Sequence, residues 1–109
     1  MVRGNIFKFT EKRIERGETF ETLLKSKSLL FEKIMTHGEL KSPGKWYDQE
    51  KDEWVMLVQG KAILEFGDKK HIEMLKGDYL IIPAHKKHRV LETSENTDCI
   101  WLALHGDFK

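Results

Sequence analysis

The sequence predicts an all-β protein built as a sandwich or barrel of short antiparallel strands. Apolar runs recur at a spacing of about ten residues, with glycine, proline, aspartate or asparagine between them. Hydrophobic and polar residues alternate in several runs, among them Lys61–Phe66, as expected for strands with one buried face. Helical periodicity is almost absent. Together, the spacing, the alternation and the missing helical pattern favour a sandwich or barrel over other fold classes.

The bulk composition indicates one domain over residues 1–109 and excludes several classes of function. The 19 Lys and Arg residues nearly balance the 18 Asp and Glu residues, giving a net charge of +1, so a nucleic-acid partner is not expected. No run approaches the roughly 18 apolar residues of a membrane span, and the N-terminus lacks the apolar core of a signal peptide. The single cysteine, Cys99, excludes an internal disulfide and fits a cytoplasmic location. Because it lies in an apolar run, we expect it to be buried and inert.

The N-terminal residues 1–18 predict a short extension. Ile6, Phe7 and Phe9 predict either an edge strand or a segment packed across one end of a barrel. Thr10–Arg16 begins with a capping residue and continues as a charged turn before a glycine, which is typical of a single helical turn. The stretch is too short and too polar to form a domain.

Two apolar runs then predict the first full strands, Thr19–Leu24 and Leu29–Thr36, joined by a turn at Lys25–Ser28. A helix over Thr19–Leu30 is the alternative, because leucine, glutamate and lysine are good helix formers.

Residues 42–105 carry the rest of the predicted strands. Ser42–Gly44 predicts a turn, because proline presets φ and glycine accepts a positive φ, and Trp46–Gln49 follows as a short strand. Gly67 and Asp68 predict a hairpin. The remaining strands are expected at Glu53–Gln59, Lys61–Phe66, Lys70–Leu75, Tyr79–Ile82, His88–Glu92 and Cys99–His105.

Two spaced motifs resemble those of the cupins. Gly77, Pro83 and His88 match the second motif of that family, and Glu53 with Gly60 matches the end of its first motif. The two motifs together are more specific than either alone.

This resemblance covers residues 42–105, which would form the conserved core of the barrel. It implies a cupin-like double-stranded β-helix, or jelly-roll barrel, with a short N-terminal extension at residues 1–18. In such a barrel the strand-lined interior carries the site, which takes a small-molecule ligand.

The sequence departs from the metal-binding members of that family. Their first motif has two histidines where this chain has Tyr47 and Gln49, so only Glu53 and His88 match the family's ligands. The implied cofactor is a divalent transition metal (Zn, Fe, Mn or Ni), held by Glu53 and His88, with Gln49 and His85 as further candidate donors. The alternative is no metal, with Glu53 and His88 forming a buried ion pair.

A second hypothesis needs no metal. A histidine, a carboxylate and a tyrosine hydroxyl supply a general base, the group that orients it and a general acid. Metal-free sugar isomerases and epimerases that resemble cupins use related groups. By this resemblance, His88 and Tyr47 are candidate catalytic residues for proton transfer.

A third hypothesis is a non-catalytic binding module whose lining orients a small metabolite. Tyr47, Trp54 and Trp101 are candidate lining residues, since aromatic rings offer apolar area together with one polar group. Of the histidines outside the motif, His37 is expected in a turn, His71 on the solvent face of a hairpin and His105 at a strand end. A homodimer is also expected, because small cupins commonly pair through sheet edges and the apolar N-terminal segment needs a cover.

Overall fold

A computed structural model describes residues 1–8, 13–15, 18–38, 40 and 42–108 of the chain. All the regular secondary structure within these residues is β-strand, so the all-β prediction is confirmed. None of them forms a helix long and apolar enough to cross a membrane. The strands are β1 Arg13–Glu15, β2 Glu18–Lys25, β3 Leu30–Thr36, β4 Asp52–Gln59, β5 Ala62–Phe66, β6 His71–Met74, β7 Tyr79–Ile82, β8 His88–Thr93 and β9 Cys99–Gly106.

These strands form two antiparallel sheets with the core between them. The larger sheet has six strands in the order β1-β2-β3-β9-β4-β7, and the smaller sheet has three in the order β6-β5-β8. The last strand, β9, lies between β3 and β4, so the C-terminal strand occupies the centre of this sheet. β2 and β3, which precede residues 42–105 in the sequence, therefore belong to the same sheet as β4, β7 and β9. Formation of a homodimer through a sheet edge remains a prediction.

The core is made by the inward face of each strand. In β4 and β5 alternate residues are buried, because successive side chains of a strand point to opposite faces. The alternation predicted for Lys61–Phe66 is therefore confirmed. The buried apolar residues of the core are Val55, Leu57, Ala62, Leu64, Phe66, Met74, Ile82, Cys99, Trp101 and Ala103.

The turn between β4 and β5 requires a glycine. Gly60 has a φ of 92°, a conformation that residues with a side chain rarely adopt. A Cβ atom at this position would lie only 2.7 Å from the Sγ atom of Cys99. Cys99 is buried, as predicted, and its thiol donates a hydrogen bond to the carbonyl of Lys61 at 3.1 Å. The turn is therefore packed directly on β9.

Two local predictions differ from the structure. The helix considered for Thr19–Leu30 is wrong, because this region pairs as β2 and the start of β3 within the large sheet. The short strand predicted at Trp46–Gln49 is reduced to an isolated bridge between Tyr47 and His88.

The predictions for the N-terminal extension are only partly covered by the described residues. Ile6 and Phe7 lie in a turn, whereas Phe9 lies outside the described residues. The helical turn predicted for Thr10–Arg16 also falls largely outside them. Its described part, residues 13–15, is strand β1.

Shortening a buried leucine tests the position of the core. Leu57 is fully buried (0% exposed), whereas Leu75 is 42% exposed. We expect Leu57→Ala to lower the free energy of unfolding by about 2–5 kcal/mol, because the deletion leaves a cavity between the sheets. Urea unfolding followed by tryptophan fluorescence measures the change. The matched control, Leu75→Ala, should cost less than about 1 kcal/mol, and equal losses in the two variants would contradict this description of the core.

Candidate functional site

A cavity of about 60 Å³ lies inside the barrel, between the two sheets. Its wall is mostly apolar, but polar side chains reach it from β2, β3, β4, β8, β9 and the segment before β4. They belong to residues far apart in the sequence that the fold brings to one interior. The polar residues in the described lining are Glu18, Glu32, Tyr47, Gln49, Glu53, His88 and His105.

Glu53 and His88 form a buried pair at this cavity. The Oε1 atom of Glu53 lies 3.1 Å from Nε2 of His88, and the two side chains are only 8% and 9% exposed. Glu53 shares the inward face of β4 with Val55 and Leu57. His88 is the first residue of β8 and is likewise buried. Strand alternation therefore directs both side chains into the barrel.

Both ring nitrogens of His88 have hydrogen-bond partners. Nδ1 lies 2.8 Å from the carbonyl oxygen of Lys86, and because a carbonyl only accepts, Nδ1 must donate. Nε2 then shares a single proton with the carboxyl group of Glu53. Burial has the largest influence on the pKa of His88 and lowers it. The hydrogen bond with Glu53, the bond to Lys86 and the Glu53 charge outweigh burial and raise the pKa above its usual 6.5. These contacts favour a protonated His88.

A second carboxylate–histidine pair borders the same cavity. The Oε1 atom of Glu32 lies 3.3 Å from Nε2 of His105, and both side chains are 11% exposed. Burial lowers the pKa of His105 most strongly, but the hydrogen bond with Glu32 and the charges of Glu53 and Glu32 raise it overall, against a smaller lowering by His88. Neither residue is among the site residues predicted from the sequence, which placed His105 only at a strand end.

The sequence signal for this second pair is strand parity. Glu32 lies on the same face of β3 as Ile34, and His105 lies on the same face of β9 as Trp101. A charged residue on the buried face of a strand needs a partner, so each of these residues indicates a site. Glu18 of β2 is also buried and lines the cavity, and it too was missed.

Tyr47 and Gln49, predicted for the site, reach the cavity together with Glu53 and His88. Tyr47 and His88 share two backbone hydrogen bonds of 2.8 and 3.0 Å, and their rings are stacked with centroids 6.0 Å apart. Trp101 also lines the cavity. Its Nε1 atom is buried and has no hydrogen-bond partner in the part of the chain that the structure describes.

His85 and Trp54, also predicted for the site, lie outside the described lining of the cavity. His85 adopts a positive φ of 63° in a turn. Its side chain is 67% exposed, with Nδ1 only 2.9 Å from Oδ1 of Asp48. Trp54 follows Glu53 in β4, so alternation directs its ring to the outer face, where it packs against Tyr79 with centroids 5.9 Å apart.

The four metal ligands predicted from the sequence do not come together as a transition-metal site. Such metals prefer several imidazole, carboxylate or thiolate donors. Among the described residues there is no group of three or more histidine, cysteine, aspartate or glutamate side chains that could hold a metal ion. Of the predicted ligands, Glu53 and His88 are strong donors, whereas Gln49 offers only a neutral amide and His85 is bonded to Asp48.

The fold and the site define a small all-β barrel with a partly polar interior cavity. The family model described as the cupin domain matches residues 31–105. The chain belongs to the cupin family, and the resemblance predicted from its two motifs is confirmed. Among curated proteins, none matches this sequence.

Several solved structures are similar to this chain. A protein from Ralstonia eutropha JMP134, described as a "putative mannose-6-phosphate isomerase", is 40% identical over 98% of this chain and 99% of its own, with a TM-score of 0.82. An RmlC-like cupin from Shewanella frigidimarina NCIMB 400 is 19% identical over 100% of this chain and 96% of its own, with a TM-score of 0.75. A protein described as FeII HppE is 17% identical over 87% of this chain and 56% of its own, with a TM-score of 0.71. The last two similarities show the fold alone.

The raised pKa values of His88 and His105 predict a pH-dependent stability. A histidine whose pKa is raised by folding stabilises the folded state fully below its unfolded pKa of about 6.5, and this contribution is lost as the pH rises through the folded value. We therefore expect the free energy of unfolding to fall as the pH rises above about 6.5, as measured by urea unfolding. The fall should be weaker in Glu53→Gln and unchanged in Glu73→Gln, whose site is exposed. An unchanged slope in Glu53→Gln would contradict the pairing of Glu53 with His88.

The poor donor set predicts little bound metal. Protein purified without an affinity tag, after expression in metal-supplemented medium, should hold far less than one equivalent of Zn, Fe, Mn or Ni by elemental analysis. The variants Glu53→Gln and His88→Gln give the background value, which the wild-type protein should match. A full equivalent in the wild-type protein that both variants lose would show that the cavity is a metal site after all.

Proposed function

We propose that this cupin catalyses proton transfer on a small carbonyl compound, in a reaction of the isomerase or epimerase type. The observation that supports the proposal is the buried 3.1 Å contact between Oε1 of Glu53 and Nε2 of His88 at the cavity. A group that catalyses proton transfer must hold a proton and must lie where a bound molecule can reach it. The Glu53–His88 pair meets both requirements.

In the proposed reaction, the Glu53 carboxylate takes a proton from the carbon next to the carbonyl group. The electrons of that C–H bond form a carbon–carbon double bond, and the carbonyl oxygen receives the proton of the His88 imidazolium. Return of a proton to carbon gives the isomer, so the substrate gains and loses no atoms or electrons overall. We assign to Tyr47, whose ring is stacked on His88, a hydrogen bond to a substrate oxygen.

The charges around the cavity favour a substrate without a phosphate group. Glu32 and Glu53 both border the cavity, and no Lys or Arg occurs in its described lining. Proteins usually bind phosphate through arginine, lysine or backbone amides, and here a phosphate would meet carboxylates instead. The volume of about 60 Å³ also favours a molecule of few heavy atoms. For these reasons mannose 6-phosphate, which the description of the Ralstonia eutropha protein names, is not proposed as the substrate of this chain.

A binding module without catalysis is the second candidate. Trp101 lines the cavity with a buried Nε1–H group that has no partner among the described residues. Because buried polar groups are nearly always hydrogen-bonded, this donor favours a ligand that carries an acceptor oxygen. A metal-dependent reaction is not proposed, since the predicted ligands are not grouped and the described residues contain no other group of three donors placed to hold a metal ion. A cytoplasmic location remains an expectation from the sequence.

Deuterium uptake tests the proposal. Dihydroxyacetone and glyceraldehyde are suitable probes, because both are small and carry a C–H bond next to a carbonyl group. In D₂O the protein should catalyse deuterium incorporation at that carbon, followed by ¹H NMR. We expect Glu53→Gln and His88→Gln each to slow this exchange by about 100-fold or more. Glu73→Gln and His71→Gln, the same changes at exposed positions, are the matched controls and should not slow it.

Three outcomes distinguish the candidates. Exchange no faster than in buffer alone would contradict catalysis of this type. A rise in melting temperature with the probes, without exchange, would support the binding module. Exchange that is faster with mannose 6-phosphate than with the neutral probes would contradict the proposed substrate class.

A further inference from the structure

The pair formed by Glu32 and His105 has no role in the reaction as described above. Its Oε1 and Nε2 atoms lie 3.3 Å apart, and both side chains are 11% exposed. Both residues line the same cavity as Glu53 and His88. The interior of this small barrel thus contains two carboxylate–histidine pairs, where the proposed reaction uses only one.

A structural role explains this second pair poorly. Burying a carboxylate and an imidazolium has a large desolvation cost, and well-packed apolar residues at such positions are commonly at least as stabilising. The same two strands also carry an apolar pair, since Ile34 of β3 lies opposite Trp101 of β9 in the sheet register. Apolar residues in place of Glu32 and His105 would therefore stabilise the folded state at least as well. A chemical role in the cavity is the better explanation.

The two pairs are direct neighbours. Glu53 of β4 lies opposite His105 of β9 in the sheet register, so its carboxylate is adjacent to both imidazole rings. After burial and the Glu32 hydrogen bond, the charge of Glu53 raises the pKa of His105, and the charge of His88 lowers it. A proton gained or lost by one pair therefore changes the affinity of the other pair for a proton.

The two imidazole rings also belong to different sheets. His88 lies on β8 of the three-stranded sheet, and His105 lies on β9 of the six-stranded sheet. A molecule bound between the sheets therefore meets one imidazole from each sheet, an arrangement that allows protons to move at two positions of one molecule.

We propose that Glu32 and His105 form a second acid–base pair that acts on the same bound molecule as Glu53 and His88. This inference rests on the function proposed above. When the new carbonyl group forms, the hydroxyl group on the neighbouring carbon must lose its proton, and the Glu32 carboxylate of the Glu32–His105 pair accepts it. At the same time protonated Glu53 returns its proton to carbon. Passage of the accepted proton to neutral His88 then restores both pairs, and the substrate is isomerised with no net change in protons or electrons.

The conversion of glyceraldehyde to dihydroxyacetone tests this role, with the variants Glu32→Gln and His105→Ala. We expect each variant to lower kcat by about 10- to 100-fold and to change KM by less than about threefold, because proton transfer and not binding is impaired. Added imidazole should restore part of the activity of His105→Ala by occupying the space of the lost ring. His71→Ala, a change at an exposed histidine, is the control and should neither lose activity nor respond to imidazole.

Each result has a separate meaning. Lower kcat in both variants, with rescue of His105→Ala by imidazole, supports the second pair. Wild-type conversion that persists in both variants overturns this inference and leaves the proposed function standing. Loss of activity with a lower melting temperature and no rescue by imidazole also overturns it, since the pair would then be structural. A wild-type protein that neither converts nor exchanges the probes overturns the proposed function and this inference with it.

Discussion

The alternation of side chains along each strand is the constraint on which the rest of this structure depends. In a two-sheet barrel every inward position opens into one shared interior, and in this protein that interior is small. An apolar residue at such a position simply joins the core, as Leu57 does. An ionisable residue at such a position must find a partner inside, because water is largely excluded. The site is therefore a consequence of which inward positions carry glutamate and histidine.

The partners that these residues find are one another. Glu53 is bonded to His88, and Glu32 to His105, at distances of 3.1 and 3.3 Å. Each contact keeps a proton inside a mostly apolar wall at a pH where a free imidazole in water would begin to lose it. Such pairs add little to stability after desolvation is counted. Their position beside a cavity is what links the packing of the barrel to chemistry.

Much of the fold could be predicted from the sequence, and so could one of the two buried carboxylate–histidine pairs at the cavity, Glu53 with His88. The glycines and the spacing between Glu53 and His88 identify the barrel, because turns and motif distances are local properties of the chain. The pairing of Glu32 with His105 joins two residues that are 73 positions apart, and no local pattern contains that distance. Trp54 was predicted for the cavity because of its residue type, but its parity within β4 directs it outward. His85 could not be placed, since its direction is set by a turn with positive φ.

The contact between the Gly60 turn and Cys99 makes the protein's single thiol a reporter of barrel opening. The thiol is fully buried (0% exposed), and the turn lies so close that a Cβ atom at Gly60 would overlap it. A thiol reagent can therefore reach Cys99 only when this packing opens, for example when the β4–β5 hairpin separates from β9. Because the sequence holds no second cysteine, the rate of labelling reports this opening without any engineered probe. Transient opening of the wall formed by β4 and β9, which carry Glu53 and His105, can thus be followed in the unmodified chain.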